Sequence, residues 1–81
     1  MAKTFHLTIA RIGENIYDSQ ALSVSLPGVE GVFVVLANHE AFVTPLRAGN
    51  AVVESVDGVK QTFAIHSGIA EISNNQVTVL L

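Results

Sequence analysis

Residues 69–80, Ile69-Ala70-Glu71-Ile72-Ser73-Asn74-Asn75-Gln76-Val77-Thr78-Val79-Leu80, decide the fold. Counting outward from Asn74-Asn75 pairs Ile72 with Val77 and Ala70 with Val79 on one face, and Glu71 with Thr78 on the other. Asparagine tolerates positive φ better than most residues that carry a Cβ, so the two central positions suit a tight hairpin turn. Apolar and polar side chains then separate onto opposite faces, as in an antiparallel sheet with one dry side.

The same period of two runs back toward the N-terminus. Asp57-Gly58 predicts a second hairpin through a type I′ turn, with Val56 opposite Val59 and Val52 opposite Phe63. Thr4 to Ile12 alternates Phe5, Leu7 and Ile9 against His6, Thr8 and Ala10. Gln20 to Leu26 sets Leu22, Val24 and Leu26 inward and Ser23 and Ser25 outward, then stops at Pro27-Gly28. Gly31-Val32-Phe33-Val34-Val35-Leu36 is apolar throughout, which predicts a central strand covered on both faces, either by the opposing sheet plus a loop or by another protein. In residues 42 to 47, Pro45 cannot donate to a ladder and predicts a rim position. No stretch has the period of a long amphipathic helix. The expected fold is all-β: a single domain over residues 1–81, a small two-sheet antiparallel β-sandwich of about ten short strands, with a barrel as the close alternative.

Composition narrows the function. The chain has 81 residues, 4 Lys and Arg, 7 Asp and Glu, three histidines and no cysteine or tryptophan. Thiol chemistry, disulfides and zinc-thiolate sites are excluded. Lys3, Arg11, Arg47 and Lys60 are scattered and form no basic stripe for a phosphate backbone, so nucleic acid is not an expected partner. No apolar run approaches the roughly 20 residues that span a bilayer, and Met-Ala-Lys-Thr-Phe-His lacks the apolar stretch of a secretory signal, which together predict a soluble, unprocessed chain. Charged residues make up 14%, against about 25% in average domains. A small domain has much surface to cover, so apolar area must remain outside, and a contiguous patch covered by a partner is expected.

No residue set assembles chemistry. His6, His39 and His66 lack the short spacing that aligns metal ligands, and no acidic loop has calcium spacing. His66-Ser67 with Glu71 could suggest a nucleophile and base, but neighbours on a strand point to opposite faces, and no strand-turn-helix elbow exposes the serine. Gly68 reads instead as a bulge or a close backbone approach. Glycine-rich phosphate loops are absent. Neither a catalytic site, a cofactor nor a metal is expected. Asn38-His39-Glu40 is a polar insertion between apolar segments, hence a surface loop suited to contact.

Glu30-Gly31-Val32-Phe33-Val34-Val35-Leu36-Ala37-Asn38-His39-Glu40-Ala41-Phe42-Val43-Thr44-Pro45-Leu46-Arg47-Ala48-Gly49 resembles, without gaps, the E-G-x-x-x-x-x-x-G-H-x-x-x-x-T-x-L-x-x-G stretch of the epsilon subunit of F-type ATP synthases. Phe63 to Ile72 is similar to that family's F-x-V-x-G-G-F-x-E-V, Asn75 to Leu80 to its closing N-x-V-T-V-L, and the opening Phe5-His6-Leu7 also fits. Asn38 stands for the usual glycine, Ala41 and Ala48 for frequent prolines, and Ser67 for the first glycine of its pair. These departures loosen subtype more than fold.

The resemblance implies a non-catalytic rotor subunit of a proton- or sodium-translocating ATP synthase, linking the gamma subunit to the proteolipid ring at the cytoplasmic side of a bacterial inner membrane or the equivalent organellar face. It implies ring contacts at Gly28, Glu30, Gly31, Asn38, His39 and Glu40, and gamma contacts at Arg11, His39 and Thr44. Family members usually continue for some 50 residues as a two-helix hairpin, so behaviours tied to those helices do not carry over to a chain ending at Leu81. The alternative reading is a small carbohydrate- or peptide-binding sandwich module. It would want exposed aromatic platforms, and Tyr17 is the only tyrosine.

Overall fold

The computed structural model describes residues 3–81, so Met1-Ala2 of the N-terminal reading lie outside the described residues. Eight strands form among them, fewer than the expected ten: β1 Phe5–Arg11, β2 Glu14–Gly28, β3 Gly31–Leu36, β4 Phe42–Leu46, β5 Gly49–Ser55, β6 Lys60–Ile65, β7 Gly68–Ser73 and β8 Gln76–Leu80. No helix forms among these residues.

β2 organises the molecule. Fifteen residues of strand would span about 50 Å if straight, whereas the longest dimension of the molecule is 34 Å. The strand must therefore bend, and a register shift between Ala21 and Ser23 provides the bend. Its first half pairs with β1, its second half with β3 and β5. One layer thus holds β1, β8, β7 and β4 beside the start of β2, and the other holds β3, β5 and β6 beside its end. The bulge also reverses an expected facing: Ala21 is buried and Leu22 only half-buried, because the extra residue offsets the alternation.

The core fills the space between the layers. Phe5, Leu7 and Ile9 of β1, Val77 and Val79 of β8, Ala70 and Ile72 of β7 and Leu46 of β4 meet Val24, Leu26, Val35, Ala51, Val53 and Ile65 in one contiguous cluster. The β7–β8 register is the one expected, with Ile72 opposite Val77 and Ala70 opposite Val79, and Asn74 and Asn75 take φ of 52° and 60°. Every ladder is antiparallel except β1–β8, which is parallel. With the rest of the chain lying between β1 and β8, the long crossover that a parallel pair requires is present.

The β5–β6 hairpin differs by one residue from its sequence reading: Val52 faces Thr62 and Phe63 faces Ala51. Ser55 N–H donates to Val59 O and Gly58 N–H to Ser55 O, each at 2.9 Å, closing a three-residue loop. A type I′ turn needs positive φ at both central residues, but here only Gly58 has it, at 84°. The glycine serves a G1-type bulge instead, and one extra loop residue shifts the whole register.

β3 is the larger correction. It pairs with β2 alone and is an edge strand rather than a central one. Phe33 and Val35 turn inward, while Val32, Val34 and Leu36 are 69, 55 and 57% exposed. The continuous apolar run reflects one face in the core and one face bare.

Candidate functional site

β2 carries both layers but meets β4 at one position only, Gly28 opposite Leu46. Beyond that point β3 and β4 diverge and leave an open cleft. The two-residue turn Val29-Glu30 joins β2 to β3, and Val29 N–H donates to Pro45 O at 3.2 Å, holding the turn against β4. Gly28 must lack a side chain, since a Cβ there would stand 2.9 Å from both Gly31 O and the Phe33 ring. Gly31 has φ of +134°, a conformation that side-chain-bearing residues rarely adopt.

The cleft measures about 370 Å³ and is lined by Gly28, Glu30, Gly31, Val32, Phe33, His39, Phe42 and Thr44. Phe33 and Phe42 pack edge to face, with centroids 5.7 Å apart, and the His39 ring lies 6.4 Å from that of Phe42. His39 Nδ1 stands 2.8 Å from Glu40 O. A carbonyl can only accept, so Nδ1 carries the proton in this bond and Nε2 remains available. The loop's approach is fixed by Asn38, which has φ of 63° and donates its N–H to Asn75 Oδ1 at 2.7 Å.

Five of the residues marked by the resemblance therefore surround one cleft: Gly28, Glu30, Gly31, His39 and Thr44. Asn38 and Glu40 flank it, exposed on the loop. Thr44 is buried and donates to Pro45 O at 3.1 Å, so it offers the cleft floor rather than a protruding contact. Arg11 lies elsewhere, in a second, smaller cleft of about 230 Å³ with Ala64, His66, Ser67 and Leu81. Sequence reasoning missed Val32, Phe33 and Phe42 as lining residues, because a run apolar at every position carries no alternation that says which side chains face out.

Chemically the cleft is greasy, with one carboxylate and one imidazole at its mouth. Among the described residues no group of three potential metal ligands comes together. His66 and Ser67 are both exposed and line the second cleft, and Glu71 does not. Tyr17 forms no sugar platform: it is half-buried, packs edge to face on Phe63 at 6.2 Å and donates to Gln20 O. Gly68 is a close backbone approach, as expected, because a Cβ there would meet Leu80 O at 2.5 Å. A second apolar patch lies on the outer face of the other layer, where Pro45, Ile69 and Leu80 stand side by side across β4, β7 and β8.

The described residues form a two-layer β-sandwich with an apolar cleft and a second apolar face. The family follows from comparison with known proteins: residues 4–81 match the ATP synthase delta/epsilon chain beta-sandwich domain, and the chain belongs to that family. It is 40% identical over 78 residues to the ATP synthase epsilon chain of Campylobacter fetus, covering 96% of this chain and 60% of that one. With the epsilon chain of Sulfurimonas denitrificans it shares 42% over 66 residues, covering 82% of this chain and 51% of that one. The chain thus spans between half and three fifths of the length of these relatives. Among solved structures, a chain of the Euglena gracilis mitochondrial ATP synthase, in an OSCP/F1/c-ring cryo-EM structure, superposes with a TM-score of 0.89 at 29% identity, covering 95% of this chain and 49% of that one. A chain of the Tetrahymena thermophila central stalk and c-ring shares the fold, with a TM-score of 0.77 at 14% identity and coverage of 96% and 63%.

Proposed function

We propose that this chain is the non-catalytic sandwich of an ATP synthase central stalk, bound to the gamma subunit on one side and to the proteolipid ring on another, so that ion flow turns it with the rotor. Its position would be the cytoplasmic side of a bacterial inner membrane, or the matching organellar face, held there through the complex. The observation that carries this reading is one contiguous buried core flanked by two apolar surfaces: the β3–β4 cleft, and the Pro45, Ile69 and Leu80 patch. A torque-transmitting part needs a rigid body with more than one adhesive face, and apolar patches of this kind mark protein contacts. Glu30 and Glu40 suit basic loops of the ring, and the β4 side, from His39 and Phe42 to the Pro45, Ile69 and Leu80 patch, suits gamma.

The test is capture by purified gamma subunit and by purified proteolipid ring. His39→Asp and Phe42→Asp are expected to weaken capture by gamma. Glu30→Lys combined with Glu40→Lys is expected to weaken capture by the ring. Thr44 is left unchanged, since a charge at a buried position would test folding instead. A folded parent chain that neither gamma nor the ring retains would refute the reading.

A further inference from the structure

We propose that the free edge of β3 pairs with the same edge of a second copy of this chain, forming an antiparallel ladder centred on Val34. The direction of the backbone groups leads to this. In the β2–β3 ladder Pro27 stands opposite Val32, has no N–H to donate, and turns its carbonyl to Arg47 N at 2.9 Å. Pro27–Val32 is therefore a pair without ladder hydrogen bonds, and along an antiparallel ladder such pairs alternate with bonded ones. The register runs without a shift, so Ser25–Val34 and Ser23–Leu36 are also unbonded. The N–H and C=O groups of Val32, Val34 and Leu36 point away from β2 toward the open side. None of them is taken by a turn or loop bond among the described residues.

Exposed edges of this kind are ordinarily blunted by charge, proline or a bulge. Across the cleft β4 is blunted by Pro45, whose carbonyl is already occupied by Val29 N–H. β6, the other edge, opens with Lys60, Gln61 and Thr62, all exposed. β3 has none of these devices: it is uncharged, free of proline and regular in register.

The strand is also its own complement. Pairing about Val34 sets Val34 against Val34 and Val32 against Leu36 of the copy, each pair exchanging two backbone hydrogen bonds and keeping the exposed apolar side chains on one face. Glu30 and Glu40 are the charges nearest the ends of the strand. Pairing about Val35 would bring Glu30 toward Glu40 of the copy, whereas pairing about Val34 brings it alongside Asn38, so electrostatics favours the register proposed. A foreign strand would have to supply an uncharged stretch of matching length. The second copy supplies one, and the two-fold contact uses up the edge, closing the assembly at a dimer.

Sedimentation and residue-resolved hydrogen exchange of the 81-residue chain, at low and at high concentration, test the proposal. A dimer is expected, with amides of Val32, Val34 and Leu36 gaining protection as concentration rises, while Phe33 and Val35, bonded to β2, are protected throughout. Val34→Lys sets two ammonium groups against each other, and Val34→Pro removes an N–H that bonds nothing within the monomer. Each is expected to raise the dissociation constant at least about tenfold, with Val56→Lys at the exposed β5–β6 tip leaving it unchanged. A monomer at every concentration, a dimer that survives both Val34 variants, or concentration-dependent protection at β6 instead would overturn the proposal. Protection of the three amides only when gamma subunit is added would assign the edge to that partner and would overturn it too.

Discussion

Asn75 Oδ1 accepts the backbone N–H of Asn38 at 2.7 Å, joining two turns 37 residues apart in the chain. The same side chain donates through Nδ2 to Thr4 O at 2.9 Å, and the Asn75 carbonyl accepts from His6 N–H at 3.3 Å. One residue at the tip of the last hairpin therefore fixes the start of β1 and the loop that carries His39 to the cleft.

Replacing Asn75 separates two effects. Asn75→Gly keeps the φ of 60° without strain but removes the side-chain clamp, at an expected cost of about 1–2 kcal/mol. Asn75→Ala adds the left-handed strain of an ordinary residue, about 1 kcal/mol more. In a domain this size each kcal/mol lowers the melting temperature by about 4–8 °C. Thermal melts should rank parent, Asn75→Gly and Asn75→Ala in that order, and the Asn38 amide should exchange faster in both variants.

At the β5–β6 tip, the Ser55 hydroxyl and then the Val59 N–H donate to the Asp57 carboxylate and hold it below its ordinary value of 3.8. The unfolded chain lacks these bonds and binds the proton more readily. Asp57 thus contributes stability that is fully present above its unfolded value and lost as pH falls through the folded one. The group is solvent-exposed, so the contribution is small. Urea midpoints of the parent should fall more steeply below about pH 4 than those of Asp57→Asn. Parallel curves would show that the Ser55 and Val59 bonds do not outlast thermal motion in solution.

The sheet faces were largely legible in the sequence because burial follows side-chain period: Phe5, Leu7 and Ile9 and the whole β7–β8 register lie where alternation puts them. Register around Asp57-Gly58 was not, since one glycine serves either a type I′ turn or a bulged three-residue loop, and the two differ by one residue. The cleft was half legible. Gly28, Glu30 and Gly31 were marked only by the family resemblance, and His39 also by its polar loop, whereas Val32, Phe33 and Phe42 were hidden within apolar runs whose coverage depends on tertiary neighbours. Nothing local to β3 distinguishes a buried strand from an edge strand with one bare face.

Glycine substitutions discriminate crowding from backbone strain. Gly68 has an ordinary φ, but an added Cβ would lie 2.5 Å from Leu80 O, a backbone atom that cannot move aside without parting β7 from β8. Gly13 has open space and φ of +77°. Gly68→Ala is expected to cost about 1–3 kcal/mol through overpacking, and Gly13→Ala about 1 kcal/mol through strain. Asparagine tells the mechanisms apart: Gly13→Asn should recover most of the loss, since asparagine accepts positive φ, while Gly68→Asn should remain at least as unstable as the alanine variant. Equal recovery at both sites in urea denaturation would contradict the crowding at Gly68.

Leu7 and Ile12 set the two extremes of apolar placement, fully buried in β1 and fully exposed at the β1–β2 turn. Leu7→Ala leaves a cavity between the layers and is expected to cost about 2–5 kcal/mol. A chain of 81 residues has a total stability of only about 4–12 kcal/mol by the usual per-residue figure, so the variant loses a large share of it. Ile12→Ala removes a side chain that touches almost nothing and should stay within about 0.5 kcal/mol of the parent. Urea unfolding followed by far-ultraviolet circular dichroism measures both. The pair also calibrates docking experiments: Leu7→Ala should reduce capture by gamma only in proportion to the unfolded fraction, and the loss should vanish on cooling or at low denaturant. Phe42→Asp should reduce capture while the fold stays intact. A Leu7→Ala chain that is fully folded yet fails to dock would mean that the core reaches the cleft through a route other than stability.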